Sequence, residues 1–162
     1  MNKEQIYRYL KQKNIWYEIT KHKAVYNMKD LQDVDLPYPE GDAKNLFVRD
    51  DKKRNYYLIT VKGTKKVDLK DFRHQNNTRP LSFVNEKELL ELLNLKPGSV
   101  TPLGLLNDKE HKVEFFIDNE LLEEPGIIGV HPNENTATVW LKTRDLITIL
   151  KENNVKVYQV QI

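Results

Sequence analysis

The chain has 162 residues, of which 39% are hydrophobic and 31% charged, and its formal net charge is +2. This composition is typical of a soluble globular protein and excludes a disordered or low-complexity chain. Cysteine is absent, which excludes disulfide scaffolds, thiolate catalysis and cysteine-ligated metal sites. No apolar run reaches the roughly 18 residues of a membrane span and no secretory signal is visible, so we expect a cytoplasmic protein.

The charges are distributed unevenly between the two halves of the chain. Residues 1–80 carry 18 Lys or Arg against 11 Asp or Glu, whereas residues 81–162 carry 8 against 13. Most of the positive excess lies in residues 44–79, where 11 basic residues face four aspartates. Such a region attracts phosphate-rich partners. A solvated, lysine-rich hairpin is the alternative, and a charge cluster by itself favours it.

Hydrophobic periodicity predicts both helices and strands in the N-terminal half. Ile6, Tyr9 and Leu10 form one stripe of a first helix over residues 2–13. We expect a strand over 15–20, a short helix over 28–34 and a proline-punctuated loop over 36–41.

Two further strands, over residues 45–49 and 56–61, are predicted to pair through the charged tip at 50–54. The second strand is apolar on both faces, and we therefore expect it in the interior of a sheet. A helix over 68–75 follows the hairpin.

The C-terminal half continues with a strong helix over residues 85–94, because Asn85 can cap it and Glu88 lies three residues further on. A helix over 143–153 and strands over 101–106, 113–117, 127–130, 136–141 and 155–162 complete the prediction. The whole chain, residues 1–162, is expected to be a single domain of the α/β (α+β) class, with a mixed β-sheet packed with helices.

Catalytic motifs with a standard spacing are missing, among them the G-x-S-x-G elbow, the P-loop and H-E-x-x-H. The histidines His22, His74, His111 and His131 form no pair at i,i+3 or i,i+4. We therefore expect neither a metal site nor a cofactor.

Three segments could carry chemistry. Lys44 and Asn45 lead into an apolar strand, where the ammonium group either points into a cleft or is an exposed strand end. Gly98-x-x-x-Pro102 can leave backbone N–H groups free for an anion or a carbonyl oxygen, or can be a helix cap followed by a turn. His131, in Gly129-x-His-Pro, either lines a cleft mouth or holds the turn backbone.

Together these segments resemble the YbaK/ProX superfamily of freestanding prolyl-tRNA editing domains. The most specific part is Gly129-x-His131-Pro132 followed by Asn-Thr-Ala-Thr at residues 135–138. The resemblance covers nearly the whole chain and is closest to the Ala-tRNA(Pro) deacylase branch (ProXp-ala, PrdX-like). It implies a mixed α/β sheet and hydrolysis, by water, of the ester that joins alanine to the terminal adenosine of tRNA(Pro).

The resemblance also implies roles for individual residues. As the catalytic pair, Lys44 would hold the terminal nucleotide or ester, and backbone groups around Gly98 would orient the carbonyl and the attacking water. No protein nucleophile, metal or cofactor is expected, because positioning and electrostatic stabilisation suffice for an activated ester. The residues expected to bind the substrate are Asn45, Thr101, Pro102, Gly129 and His131.

The expected partner is the acceptor end of tRNA(Pro) carrying alanine, with neither a membrane nor DNA as a partner. Docking on prolyl-tRNA synthetase or an elongation factor stays open. The residues expected to bind tRNA are Lys52, Lys53, Arg54, Lys62, Lys65 and Lys66. Two alternatives remain: a deacylase of the same superfamily for Cys-tRNA(Pro) or another aminoacyl-tRNA, and a non-catalytic module that binds tRNA or amino-acid esters.

Overall fold

The computed structural model describes residues 1–24 and 35–162. Within these ranges, four α-helices are interspersed among eight strands, which agrees with the predicted α/β (α+β) class. The α-helices are α1 (Lys3–Gln12), α2 (Leu69–Asn76), α3 (Glu86–Leu93) and α4 (Thr143–Glu152). The strands are β1 (Tyr17–Lys21), β2 (Ala43–Asp50), β3 (Tyr56–Lys62), β4 (Leu81–Phe83), β5 (Val113–Asp118), β6 (Ile127–Val130), β7 (Ala137–Lys142) and β8 (Val157–Val160).

The described strands form two sheets, whereas the sequence predicted one mixed sheet. The larger sheet has the order β4-β2-β3-β5-β8; its β2–β3 and β2–β4 pairs are antiparallel and its β3–β5 and β5–β8 pairs parallel. The smaller sheet is antiparallel, with the order β1-β7-β6. The expected hairpin is confirmed, and β3 lies at the centre of the larger sheet as its apolar faces predicted.

Side chains alternate between the two faces of the larger sheet, and each face has its own core. Leu58, Phe115 and Ile117 pack on one face with helices α1, α3 and α4 and the smaller sheet. Ile59 and Phe116 pack on the other face against α2. Alternation therefore decides which side chains of β2 can share a site.

Local signals explain the helix boundaries. Asn2 caps α1 in a reciprocal capping box with Gln5. The side chain of Asn85 accepts a hydrogen bond from the Glu88 N–H at 2.8 Å, so the predicted cap of α3 is confirmed. None of the described helices has the length and apolar content that a membrane crossing requires.

The strand predicted over residues 101–106 is wrong. The segment Pro102–Asn107 is a 3-10 helix, and the Thr101 hydroxyl caps it by accepting from the Leu103 N–H at 3.3 Å. Pro102 cannot donate to a strand ladder, and its fixed φ suits the first position of a helical turn. Strand β4 was not predicted, and the helix expected over residues 28–34 lies outside the described residues.

Candidate active site

A gap along one edge of β2 defines the candidate site. One edge of β2 pairs with β3 over residues Ala43–Arg49. On the opposite edge, the start of β2 meets β6 in a parallel bridge between Asp42 and Gly129, while β4 pairs only with the end of β2. The Val84 N–H donates to the Phe47 carbonyl at 3.0 Å. Among the described residues, no strand therefore pairs with this second edge of β2 around Asn45.

The loop that contains Gly98 approaches this gap. The Asn45 side-chain amide donates to the Val100 carbonyl at 3.3 Å, and its oxygen accepts from the Thr60 hydroxyl. Between β2, β4 and the loop lies a cleft of about 270 Å³, which we call the β2 cleft. It is lined by Asn45, Phe47, Phe83, Val84, Asn85, Glu86, Leu89, Pro97, Gly98 and Val100.

Gly98 has the backbone geometry that a glycine allows most easily. Its φ is +84°, and the turn is closed by a hydrogen bond of 3.1 Å from the Ser99 N–H to the Lys96 carbonyl. No described residue accepts a hydrogen bond from the N–H of Gly98 itself. A free backbone donor that lines a cleft can bind a carbonyl oxygen or the negative charge that develops on it.

Lys44 and Asn45, adjacent in sequence, project from opposite faces of β2. Asn45 shares its face with Phe47 and the β2 cleft, whereas Lys44 by alternation belongs to the face of Leu46 and Val48. Lys44 is half-buried, and its ammonium group makes no hydrogen bond or ion pair with the described residues. The structure thus brings Asn45 and Gly98 together and does not place Lys44 in contact with them.

Three of the residues expected to bind substrate are buried in the protein. Thr101 is fully buried, and its hydroxyl donates to the His131 carbonyl at 2.7 Å. Pro102 is buried beside it. Gly129 packs on the Trp140 ring, and a Cβ there would lie 2.5 Å from a ring carbon. In this arrangement these residues hold the loop and β6 in place, and their role in binding substrate stays a prediction.

His131 lies next to a second histidine that sequence spacing did not single out. Its Nδ1 is 3.0 Å from the Ala137 carbonyl, which can only accept, so this nitrogen carries the proton and Nε2 keeps its lone pair. The His22 ring lies 6.1 Å away and bonds to the Thr138 hydroxyl at 2.9 Å. Burial lowers the pKa of His131, which keeps the imidazole neutral near pH 7.

Asp42 is a further titratable group that the sequence did not indicate. It opens β2 and lines a shallow cleft of about 290 Å³ with Lys62, Gly63 and Thr64. Burial raises the pKa of its carboxyl group to about 6.

Among the described residues, no three His, Asp or Glu side chains come together in a way that could hold a metal ion.

The basic residues expected to bind tRNA differ in their availability. Lys52, Lys53 and Arg54 are exposed at the tip of the β2–β3 hairpin, and Lys66 is exposed beyond β3. Lys62 is half-buried and lies 3.8 Å from the Glu120 carboxylate. The ammonium group of Lys65 bonds to the buried Asp118 carboxylate, to Glu120 at 2.8 Å and to the Ile162 carbonyl at 2.8 Å. Lys65 is therefore not available to a phosphate in this arrangement.

The comparison with known families agrees with the motifs. Residues 22–149 match the family model of the aminoacyl-tRNA editing domain. The chain belongs to this family, the YbaK/ProX superfamily, and is an enzyme of the aminoacyl-tRNA deacylase class.

Individual relatives extend over almost the whole chain. A protein of Acetoanaerobium sticklandii described as prolyl-tRNA editing protein ProX is 36% identical over 151 residues, which are 93% of this chain and 92% of that protein. Prolyl-tRNA synthetase associated domain-containing protein 1 of Bos taurus is 31% identical over 83% of this chain and 80% of its own.

Among solved structures, that of a candidate trans-editing enzyme for prolyl-tRNA synthetase superposes with a TM-score of 0.70 and 18% identity. The superposition covers 99% of this chain and 96% of that one. At this identity the likeness shows the shared fold.

Proposed function

We propose that this deacylase edits mischarged tRNA(Pro) in trans by hydrolysing the ester that joins alanine to the terminal adenosine. The observation that carries the proposal is the β2 cleft, which is lined by both Asn45 and Gly98, the latter with a backbone N–H that bonds to no described residue. The description of the Acetoanaerobium relative as a prolyl-tRNA editing protein supports tRNA(Pro) as the substrate.

In the proposed reaction, water attacks the ester carbonyl carbon and the carbonyl oxygen gains negative charge. The Gly98 N–H donates to this oxygen, which stabilises the tetrahedral intermediate more than the ground state. Collapse of the intermediate breaks the bond to the ribose oxygen, which takes up a proton and leaves as the terminal hydroxyl of tRNA. An activated ester requires less stabilisation than an amide, so positioning and one or two donors suffice.

Lys44 is proposed to act on the same substrate from the start of β2. Its ammonium group is half-buried and makes no ion pair with the described residues, which leaves its charge available to a phosphate or to the ester. His131, neutral and with a free Nε2, is proposed to bind the amino acid or the ribose.

Selectivity for alanine is proposed to be steric. A cleft can exclude a larger side chain such as proline efficiently, whereas a difference of one methylene is worth only about 1–3 kcal/mol. Esters of glycine or serine are therefore expected to be hydrolysed to some extent. The enzyme would thus act as a second sieve after the synthetase: it hydrolyses those esters whose amino acid is small enough to enter the cleft.

The decisive experiment measures initial rates of amino-acid release from Ala-, Cys-, Ser- and Pro-tRNA(Pro). We expect rapid release of alanine and a rate for Pro-tRNA(Pro) equal to that in buffer. Faster hydrolysis of the Cys ester would assign the enzyme to a different substrate of the same superfamily. Binding of tRNA with no hydrolysis of any ester would indicate a non-catalytic module.

A further inference from the structure

Thr138 closes the Asn-Thr-Ala-Thr motif of residues 135–138, and the proposed reaction does not yet use it. It lies in β7, the middle strand of the smaller sheet, where it pairs with Thr20. Only 6% of its surface is exposed. A hydroxyl group in such a position needs a hydrogen-bond partner, and the partner of Thr138 is His22.

His22 fixes the direction in which the Thr138 hydroxyl donates. The Nδ1 atom of His22 is 2.8 Å from the Lys23 carbonyl, which can only accept, so in the neutral imidazole Nδ1 carries the proton and Nε2 is an acceptor. Nε2 is 2.9 Å from the Thr138 hydroxyl, which therefore donates to it. The backbone of His22 is held as well, because its N–H donates to the Thr136 carbonyl at 3.0 Å. With its proton directed at His22, the Thr138 oxygen can only accept a further bond.

His131 presents a second acceptor next to Thr138. Val130 pairs with Val139 in the antiparallel β6–β7 pair, and continuation of this register puts His131 opposite Thr138. Side chains that are opposite each other in such a pair have Cβ atoms about 4.5–5.5 Å apart. The His131 ring also lies 6.1 Å from the His22 ring, and its Nε2 keeps a lone pair. We call His22, Thr138 and His131 the β7 cluster.

Two neighbouring acceptors fit a ligand group that donates at least two hydrogen bonds. Neither Nε2 of His131 nor the Thr138 oxygen accepts a bond from a described residue. In an alanyl ester, the α-amino group has two N–H bonds when neutral and three when protonated, whereas the free ribose hydroxyl has one O–H bond. The β7 cluster is also joined to the loop that contains Gly98, because the Thr101 hydroxyl donates to the His131 carbonyl at 2.7 Å.

We propose that Thr138 and His131 accept hydrogen bonds from the α-amino group of the aminoacyl ester, and that His22 is a positioning residue that keeps the hydroxyl proton of Thr138 away from the amine. This inference rests on the proposed function, because the aminoacyl ester supplies the amine. It adds a chemical criterion to the steric one. The enzyme prefers acyl groups with a free α-amino group to acyl groups of the same shape that lack it.

The test compares two tRNA(Pro) ligands that resist hydrolysis because an amide replaces the ester. In both, the terminal nucleoside is 3′-amino-3′-deoxyadenosine. One is acylated with alanine and the other with isobutyrate, in which a methyl group replaces the α-amino group. Because the tRNA is the same, the ratio of the two Kd values isolates the contribution of the amine. Release of alanine from Ala-tRNA(Pro) is measured separately.

The variants remove or restore single hydrogen-bonding groups in the full chain. Thr138→Val removes the hydroxyl and keeps the shape, whereas Thr138→Ser keeps the hydroxyl. His22→Leu removes the acceptor of the hydroxyl proton, and His22→Gln supplies an amide oxygen in its place. Thr148→Val is the matched control, because the exposed Thr148 hydroxyl donates to the Arg144 carbonyl within α4. Thermal unfolding verifies the fold of each variant.

We expect the wild type to bind the alanyl ligand roughly 5- to 150-fold more tightly than the isobutyryl ligand, the range for two hydrogen bonds. Thr138→Val and His22→Leu should each lower this ratio by about 2- to 10-fold, the range for one hydrogen bond. Thr138→Ser, His22→Gln and Thr148→Val should retain the ratio. The Kd of the isobutyryl ligand should be the same throughout, whereas a merely structural effect would weaken both ligands.

Equal binding of the two ligands by the wild type, or a wild-type ratio in folded Thr138→Val, overturns the inference while the proposed function stands. An unchanged ratio in His22→Leu rejects the positioning role of His22. If Thr138→Val does not fold, the wild-type ratio and the two His22 variants decide. A ratio that depends on Thr138 and His22, in a protein that releases no amino acid from any aminoacyl-tRNA, supports the inference and rejects the proposed function.

Discussion

Lys44 and Asn45 are adjacent in the chain, yet they face different sides of β2, so their substitution should have separable effects. Asn45 orders the Gly98 loop through the Val100 carbonyl, whereas Lys44 offers a charge that no described residue neutralises. The geometry places Asn45 on the face of the β2 cleft and Lys44 on the opposite face, whereas the sequence showed only that they are neighbours.

We predict that Lys44→Ala lowers kcat/KM for Ala-tRNA(Pro) about 100-fold or more, as expected when one charged group that acts on the reacting ester is removed. Initial rates of alanine release measure the effect, and thermal unfolding verifies the fold. Lys21→Ala is the matched control, since Lys21 is an exposed lysine at the end of β1. A folded Lys44→Ala variant with the wild-type rate would remove Lys44 from the active site.

Asp42 gives a prediction for the dependence of stability on pH. Burial raises its pKa from 3.8 to about 6, so the folded state binds the proton more tightly than the unfolded state. The contribution of Asp42 to wild-type stability should therefore fall as pH rises from about 4 through 6, because the ionised carboxylate must remain in a poorly solvated site. Asp42→Asn lacks this titration, and its stability relative to wild type should increase by about 2 kcal/mol between pH 4 and 7.

Urea unfolding at several pH values measures this difference. Asp71→Asn, which alters an exposed carboxylate of α2, is the control and should give a difference that changes little with pH. A difference for Asp42→Asn that is independent of pH contradicts the argument.

At the scale of elements, local signals predicted most of the fold. The cap at Asn85, the charged hairpin tip and the apolar faces of β3 are encoded within a few residues of each element, so the sequence alone located them. The segment after Gly98 was misread because an apolar run is compatible with either a strand or a turn. Strand β4 has three residues on a sheet edge, which is too short for a periodic pattern.

The candidate site was predictable in its parts and not in its arrangement. Motif residues near Lys44, Gly98 and His131 were found by their spacing and resemblance. Their contacts depend on pairings between distant segments, such as the bridge from Asp42 to Gly129, and no local pattern records these. The position of His22 beside His131 is of the same kind, since it follows from tertiary packing.

At the scale of the whole molecule, the asymmetry of charge predicts how tRNA binding responds to salt. The hairpin tip presents three exposed cations, Lys52, Lys53 and Arg54, while Lys65 is held by Asp118 and Glu120. Each phosphate that a cation neutralises contributes about −0.7 to −0.9 to the slope of log K against log salt. Neutralising the three tip residues together should flatten the slope by about that amount for each phosphate that they bind.

The measurement is a salt titration of binding to full-length tRNA(Pro). Hydrolysis of a minimal alanyl-adenosine ester, which cannot reach the tip, should be nearly unchanged in the triple variant. Neutralising Lys142, Arg144 and Lys151, exposed residues at the start and end of α4, is the control for the removal of three charges. An unaltered slope in the tip variant would place the tRNA-binding face elsewhere, for example at Lys62 and Lys66.

The parallel pairing of β5 has a consequence for the order in which the protein is assembled. Strand β5 is hydrogen-bonded to β3 on one side and to β8, the last described strand, on the other. During synthesis, one edge of β5 therefore has no partner until residues 157–160 have left the ribosome. An apolar strand with an open edge is a template for pairing with another chain. Release of the nascent chain before β8 emerges should thus favour aggregation, and completion of the larger sheet should be a late and comparatively slow event of folding.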